Sequence, residues 1–118
     1  MAKATKDRIF EGTKSPYNFE TMDSGAGGEQ AYAQRLETDP DVIAWTKKHN
    51  IVIRYRNAKG GISRYFPDFL VRRKNQSHLE LVEIKGKHLR SDPNVDAKKK
   101  AADDWCKQRG MTYKIITV

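Results

Sequence analysis

Two β-rich runs, Arg64–Arg73 and Leu79–Lys85, are joined by only Lys74-Asn-Gln-Ser77. A connection this short makes them an antiparallel pair. It also fixes their register. Whether the loop takes all four residues or only Asn75-Gln76, Asp68 falls opposite Glu83. Directly opposed residues have Cβ atoms about 4.5–5.5 Å apart, and two carboxylates there repel each other. Asp68 lies among Phe66, Phe69 and Leu70, and Glu83 lies between Val82 and Ile84. Such apolar settings favour partial burial, where unpaired charge is costly.

Two readings of this pair are open. In one, Asp68 and Glu83 face solvent and Lys85 is their ion-pair partner. In the other, a bound cation compensates the two charges. Mg²⁺ suits such a place, since it takes one or two carboxylates, keeps several waters and accepts phosphate oxygens. Lys85 follows Glu83 by two residues and so shares its strand face. Two carboxylates with an ammonium beside them suit metal-assisted hydrolysis, the lysine orienting or deprotonating the attacking water. Pro67 precedes Asp68 and removes a ladder hydrogen bond, so a bend that aims Asp68 is expected there.

Charge supports a polyanionic partner. The chain of 118 residues carries a formal net charge of +8, unevenly spread. Residues 1–50 hold 7 basic and 8 acidic side chains, whereas residues 51–118 hold 16 and 7. Nucleic acid is the simplest partner for the C-terminal part. The single cysteine, Cys106, excludes an internal disulfide framework and a multi-cysteine zinc site. No apolar run approaches the roughly 20 residues of a membrane helix, and no secretory signal is expected. The expectation is an intracellular, reducing, cytoplasmic setting without a membrane partner.

Residues 1–28 show no sustained period and read as a flexible N-terminal arm, leaving 29–118 as the domain. Residues 29–37 form the first helical pattern, with Tyr32, Ala33 and Leu36 on one face. Asp39-Pro40 then reads as an N-cap and first helical residue, predicting a second short helix over Val42–Lys48. Strands are expected at 51–56, 64–73, 79–85 and 112–118, with a helix over 95–109. The order is α-β-β-β-α-β. The first three strands can form a meander, and the last two a parallel crossover pair.

Pro67-Asp68, then Glu83-Ile84-Lys85 after fourteen residues, resembles the PD-(D/E)XK nuclease superfamily, and the element order resembles its core. The fold expected is therefore α/β with a restriction-endonuclease-like core, a mixed four-stranded sheet flanked by helices. Arg64-Tyr-Phe-Pro-Asp-Phe-Leu-Val, Leu81-Val-Glu-Ile-Lys-Gly86 and Asp96 through Cys106 look most like the C-terminal endonuclease domain of type III restriction subunits. The resemblance implies Mg²⁺-dependent cleavage of DNA, with Mn²⁺ able to substitute. It implies metal ligation by Asp68, Glu83 and the backbone carbonyl of Ile84, with Lys85 at the water.

Glu29 lies near the centre of the first helix's apolar face. It matches the position of a first-helix glutamate that often completes the metal shell in the superfamily, or else it complements the helix dipole. Glu37 falls off this face and is the weaker candidate. Lys98 lies at the centre of the last helix's apolar face, either snorkelling past the core edge or reaching a phosphate. Lys87, His88 and Arg90 follow the catalytic strand and are candidates for DNA-backbone contact. Arg72-Arg73-Lys74 lies at the far end of the hairpin. Trp45, Trp105 and Cys106 read as core, and His49 and His78 as structural or solvated. A catalytically silent nucleic-acid-binding module and a structure-specific junction or repair nuclease are the competing functions. One active site cuts one strand at a time, so a homodimer, or a helicase or targeting partner or parent protein, is expected.

Overall fold

A computed structural model describes residues 3–4, 9–16, 20–21, 28–85 and 93–117. Three short strands, β1 (Lys3–Ala4), β2 (Ile9–Glu11) and β3 (Glu20–Thr21), form an antiparallel sheet of their own. Helix α1 (Glu29–Thr38) follows Gly28, whose positive φ of 79° suits a glycine. Strands β4 (Val42–Thr46), β5 (Ile53–Arg56), β6 (Ile62–Tyr65), β7 (Phe69–Arg73) and β8 (Glu80–Lys85) come next. Helix α2 (Val95–Gln108) and strand β9 (Thr112–Thr117) complete the order.

The central sheet has the order β4-β7-β8-β9. β4, β7 and β8 pair antiparallel, and β8 pairs parallel with β9 across the α2 crossover. This is the mixed four-stranded sheet flanked by two helices that the sequence predicts, and it is a restriction-endonuclease-like arrangement.

Strands β1–β3 stand within the stretch read as an N-terminal arm, and two further elements differ from expectation. Val42–Thr46 is an edge strand rather than a helix. Asp39-Pro40-Asp41 forms a turn in which Asp39 Oδ1 accepts the Asp41 N–H at 2.9 Å. It thus ends α1 instead of starting a new helix. Val42, Ile43, Trp45 and Thr46 are β-branched or aromatic and fit a pleated surface. The predicted 64–73 strand is also two strands, because Pro67 interrupts it. The part before Pro67 leaves the sheet and pairs only with β5, as a separate hairpin. The third strand of the α-β-β-β-α-β order is still β8, but the first is β4, not the 51–56 run.

Alternation along β7 and β8 divides the core between the two faces of the sheet. Phe69, Val71, Val82 and Ile84 pack with Tyr32, Ala33 and Leu36 of α1 and with Val42 and Trp45. On the other face, Leu70 and Leu81 meet Ala102 and Cys106 of α2, together with Ile53, Tyr55 and Tyr65 of the hairpin. Trp45 and Cys106 therefore belong to the core, as their sequence context suggests, and Trp105 is half-buried and packs against it. Burial pushes the Cys106 thiol up to about 11, which leaves it unreactive at neutral pH.

Arg73 is a structural cation. Its Nε donates to both Glu80 oxygens at 3.2 Å, and its Nη1 reaches Asp39 at 3.3 Å and Asp41 at 3.4 Å. It ties the α1–β4 turn to β7 and β8. Glu37, at the end of α1, accepts N–H groups from Thr13 at 2.7 Å and Lys14 at 3.0 Å, and the indole N–H of Trp45 at 2.6 Å. Burial works against its charge. The bonds from Thr13, Trp45 and Lys14 outweigh that and hold its carboxyl below the ordinary range.

Candidate active site

The β7–β8 ladder pairs Phe69 with Val82, Leu70 with Leu81 and Val71 with Glu80. This is the register inferred from the loop length, and it brings Asp68, one residue before β7, level with Glu83. Pro67 and Asp68 form the step between the hairpin and the sheet. His49 holds that step: its Nδ1 accepts the Ile51 N–H at 3.0 Å, so its Nε2 carries the proton and donates to the Pro67 carbonyl at 2.7 Å.

Asp68 Oδ2 accepts the backbone N–H of Ile84 at 2.8 Å. The carboxylate is thereby fixed against the residue between Glu83 and Lys85. Glu83 Oε1 accepts the Tyr65 hydroxyl at 2.7 Å, which lies 2.8 Å from the Tyr113 hydroxyl. Lys85 Nζ is 4.0 Å from Glu83 Oε2. Glu29, in the first turn of α1, is ion-paired with Lys47, and Lys47 Nζ is 3.9 Å from Asp68 Oδ1. The Lys47 ammonium also stands over the Phe69 ring, 5.2 Å from its centroid.

Five charged side chains are thus gathered at one end of the sheet. Their exposures are 8% for Glu29, 14% for Asp68 and Lys47, and 13% for Glu83 and Lys85. Crowded carboxylates shift accordingly. Burial, and then the Glu83 charge, push the Asp68 carboxyl up to about 6, against the Ile84 N–H and Lys47. Burial raises the Glu83 carboxyl too, opposed by the Tyr65 hydroxyl and Lys85.

Asp68, Glu83, Lys85 and Glu29 are therefore brought together, and Ile84 lies beside them through its N–H. Lys98 of α2 lies over the rings of Tyr55 and Tyr65, at 5.8 and 5.7 Å, and its charge lowers the Glu83 carboxyl. Lys87, His88 and Arg90 lie outside the described residues. Lys47, Tyr65 and Tyr113 are the site neighbours that sequence reasoning passed over, whereas His49 takes the structural one of the two roles read for it. Lys47 was hidden by the helical reading of 42–48. Tyr65 was hidden by the uninterrupted 64–73 strand, since its inward face follows only from the β5–β6 pairing.

The donor set fits a divalent cation at Asp68 and Glu83. Asp68 and Glu83 are opposed, mostly buried oxygen donors, and Mg²⁺ needs no more than one or two such ligands. No group of three or more His, Cys, Asp or Glu side chains converges as a complete cage among the described residues. Glu29 is engaged by Lys47, so Asp68 and Glu83 are the better-placed pair.

Residues 39–118 match the family model of the TnsA-like endonuclease N terminal. The matched stretch includes Asp68, Glu83 and Lys85 and stops short of Glu29. The narrower resemblance to type III restriction subunits finds no support in this match. No curated protein and no solved structure matches the chain. A mixed sheet flanked by two helices, the opposed Asp68–Glu83 pair and a match over two-thirds of the length lead to one conclusion: the chain belongs to the TnsA-like endonuclease N-terminal family, within the restriction-endonuclease-like superfamily.

Proposed function

We propose that this protein is a metal-dependent deoxyribonuclease that hydrolyses DNA phosphodiesters, with Asp68 and Glu83 as the metal carboxylates and Lys85 as the group at the attacking water. The observation that carries this reading is Asp68: level with Glu83, bonded to the Ile84 N–H at 2.8 Å, and one β8 residue away from Lys85. A sheet gains nothing from opposed carboxylates, so a binding module alone has no use for them.

Asp68 and Glu83 would hold Mg²⁺, or Mn²⁺ in its place, together with the Ile84 carbonyl. When bound, the ion supplies an acidified water and a counter-charge for the phosphate. The chain's own groups do the rest. Tyr65 fixes one Glu83 oxygen and leaves the other facing Lys85. The Lys85 ammonium orients the water and steadies charge gathering on the phosphate. Lys47 holds Glu29 and partly neutralises Asp68, which keeps the metal-free site from flying apart. Lys98, whose charge acts on Glu83, would meet a phosphate. Lys87, His88 and Arg90 retain the DNA-backbone role their position after β8 suggests, and double-strand cleavage would need a second copy or a partner.

The test incubates the purified chain with supercoiled, linear, branched and single-stranded DNA, with Mg²⁺, Mn²⁺ or chelator. Asp68→Asn and Lys85→Ala serve as variants. Metal-dependent cutting that falls at least about 100-fold in both variants is expected, in line with the loss of one transition-state group. Cutting that survives in both would remove the site assignment. A preference for branched over linear DNA would mark a junction-type nuclease of the same chemistry.

A further inference from the structure

The β5–β6 hairpin has two faces of opposite character. Its inner face, Ile53, Tyr55 and Tyr65, is buried against α2 and β8. Its outer face presents Arg54, Arg56 and Arg64, all exposed. Arg54 and Arg64 are direct cross-strand partners, and Arg56 stands opposite Ile62. Like charges set directly opposite each other destabilise a ribbon. None of the three arginines is ion-paired to a carboxylate among the described residues. Arg56 Nη1 donates to the Gly60 carbonyl at 2.8 Å, and Arg64 stands over the Phe66 ring at 5.9 Å. The one acid lining the cleft beside Arg54, Asp104, is paired with Lys100 at 3.2 Å.

Large apolar side chains share this face. Ile62 is 62% exposed, Phe66 57% and Val52 40%. The face also runs into the candidate site. Phe66 leads through Pro67 to Asp68, and a cleft of about 400 Å³ lies between Lys47–Val52 and Phe66–Asp68. Arginine and an exposed aromatic ring together suit nucleic acid, the first as a phosphate partner and the second as a surface for a base.

We infer that the outer face of the β5–β6 hairpin is the surface that seats duplex DNA, with Arg54, Arg56 and Arg64 on phosphates and Phe66 against the nucleotide entering the Asp68 cleft. The inference rests on the reading of the chain as a DNA nuclease and adds the docking surface to it. The opposed arginines then have a purpose: their mutual repulsion is relieved by the polyanion.

The experiment measures binding of a labelled 20-bp DNA duplex by fluorescence anisotropy, in chelator, from 50 to 200 mM NaCl. The parent chain is compared with Arg54→Ala/Arg56→Ala/Arg64→Ala and with Lys99→Ala/Lys100→Ala/Lys107→Ala, which removes the same charge from α2. Each lost phosphate contact makes the log–log salt slope shallower by about 0.9, so the hairpin variant should lose about 2–3 from the slope and at least about tenfold in affinity at 50 mM. The helix variant should change much less, since Lys99 and Lys100 are already paired with Asp103 and Asp104. Circular dichroism and thermal unfolding check the fold, with Arg64→Gln as the milder variant.

Equal losses in the two triple variants, an unchanged slope in the hairpin variant, no duplex binding by the parent, or tighter hairpin-dependent binding to RNA would each overturn the inference. The two readings fail separately. Metal-dependent cutting by the parent with unaltered binding by the hairpin variant removes the docking surface alone. Hairpin-dependent binding without cutting upholds the surface and removes the catalytic assignment.

Discussion

Asp68 Oδ2 accepts the Ile84 N–H at 2.8 Å, a bond that joins the residue just before β7 to the far end of β8. It fixes a carboxylate against the backbone of Glu83-Ile84-Lys85. The site thus depends on sheet register more than on any flexible loop among the described residues.

The first consequence concerns pH. Asp68 has an ordinary value of 3.8 and is pushed up to about 6, so the folded chain keeps this proton longer than the unfolded one. Between these values the native state binds more protons, and stability falls as pH rises through the window. Above about 6 the deficit is complete. At about 1.4 kcal/mol per unit it is of the order of 2–3 kcal/mol for the metal-free chain. Asp68→Asn keeps a carbonyl for the Ile84 N–H and removes the charge. Urea denaturation at pH 7.5 should find it more stable by about 1–2 kcal/mol, with a flatter pH profile. A metal-free Asn variant less stable than the parent would contradict this.

Lys47 offers a second test. Its ammonium pairs with Glu29, and both are nearly buried. Removing one member of such a pair leaves an uncompensated charge and costs about 3–5 kcal/mol. Lys47→Met should therefore lose about 3 kcal/mol at pH 7.5. The loss should shrink near pH 5, where Asp68, pushed up to about 6, takes up a proton and leaves one charge fewer beside Glu29. It should also shrink on adding Mn²⁺. Thermal unfolding at both pH values reads both effects. A pH-independent loss that Mn²⁺ leaves untouched would argue that Lys47 only packs on Phe69.

Tyr65 tests the other side of the site. A hydrogen bond to a charged acceptor contributes about 1.5–3 kcal/mol. Tyr65→Phe should lower the urea midpoint by a corresponding amount, with an unchanged slope. Tyr113→Phe should cost less, because Tyr113 bonds the Tyr65 hydroxyl and Tyr65 is the residue bonded to Glu83. Equal costs in the two variants would mean that Tyr65 and Tyr113 share the carboxylate.

Much of this site was legible because strand pairing is arithmetic. The short connection after Arg73 set the register, and the ladder that places Asp68 level with Glu83 needed no knowledge of the rest. The helical faces of α1 and α2 followed from spacing, which is what drew Glu29 and Lys98 into the reading. Val42–Thr46 was misread because Asp39-Pro40 imitates a helix start. The tertiary ties of Asp39 and Asp41 to Arg73, which make it a turn, are invisible in one sequence. Pro67 was read as a bend within a strand. It is a boundary between two sheets, and with it went the inward direction of Tyr65 and the outward arginines of the hairpin. Lys47 could be seen only once β4 was a strand ending beside α1.

The claim that Asp68 and Glu83 exist to hold a cation is tested most directly by calorimetric titration of Mn²⁺ into the metal-free chain at pH 7.5, beside Asp68→Asn and Glu83→Gln. A bound ion displaces protons from carboxylates whose pKa is raised, so proton release that grows from pH 7.5 to pH 6 is expected. Binding in the parent should weaken at least tenfold in either variant. Mn²⁺ affinity that is the same in all three chains would contradict the claim.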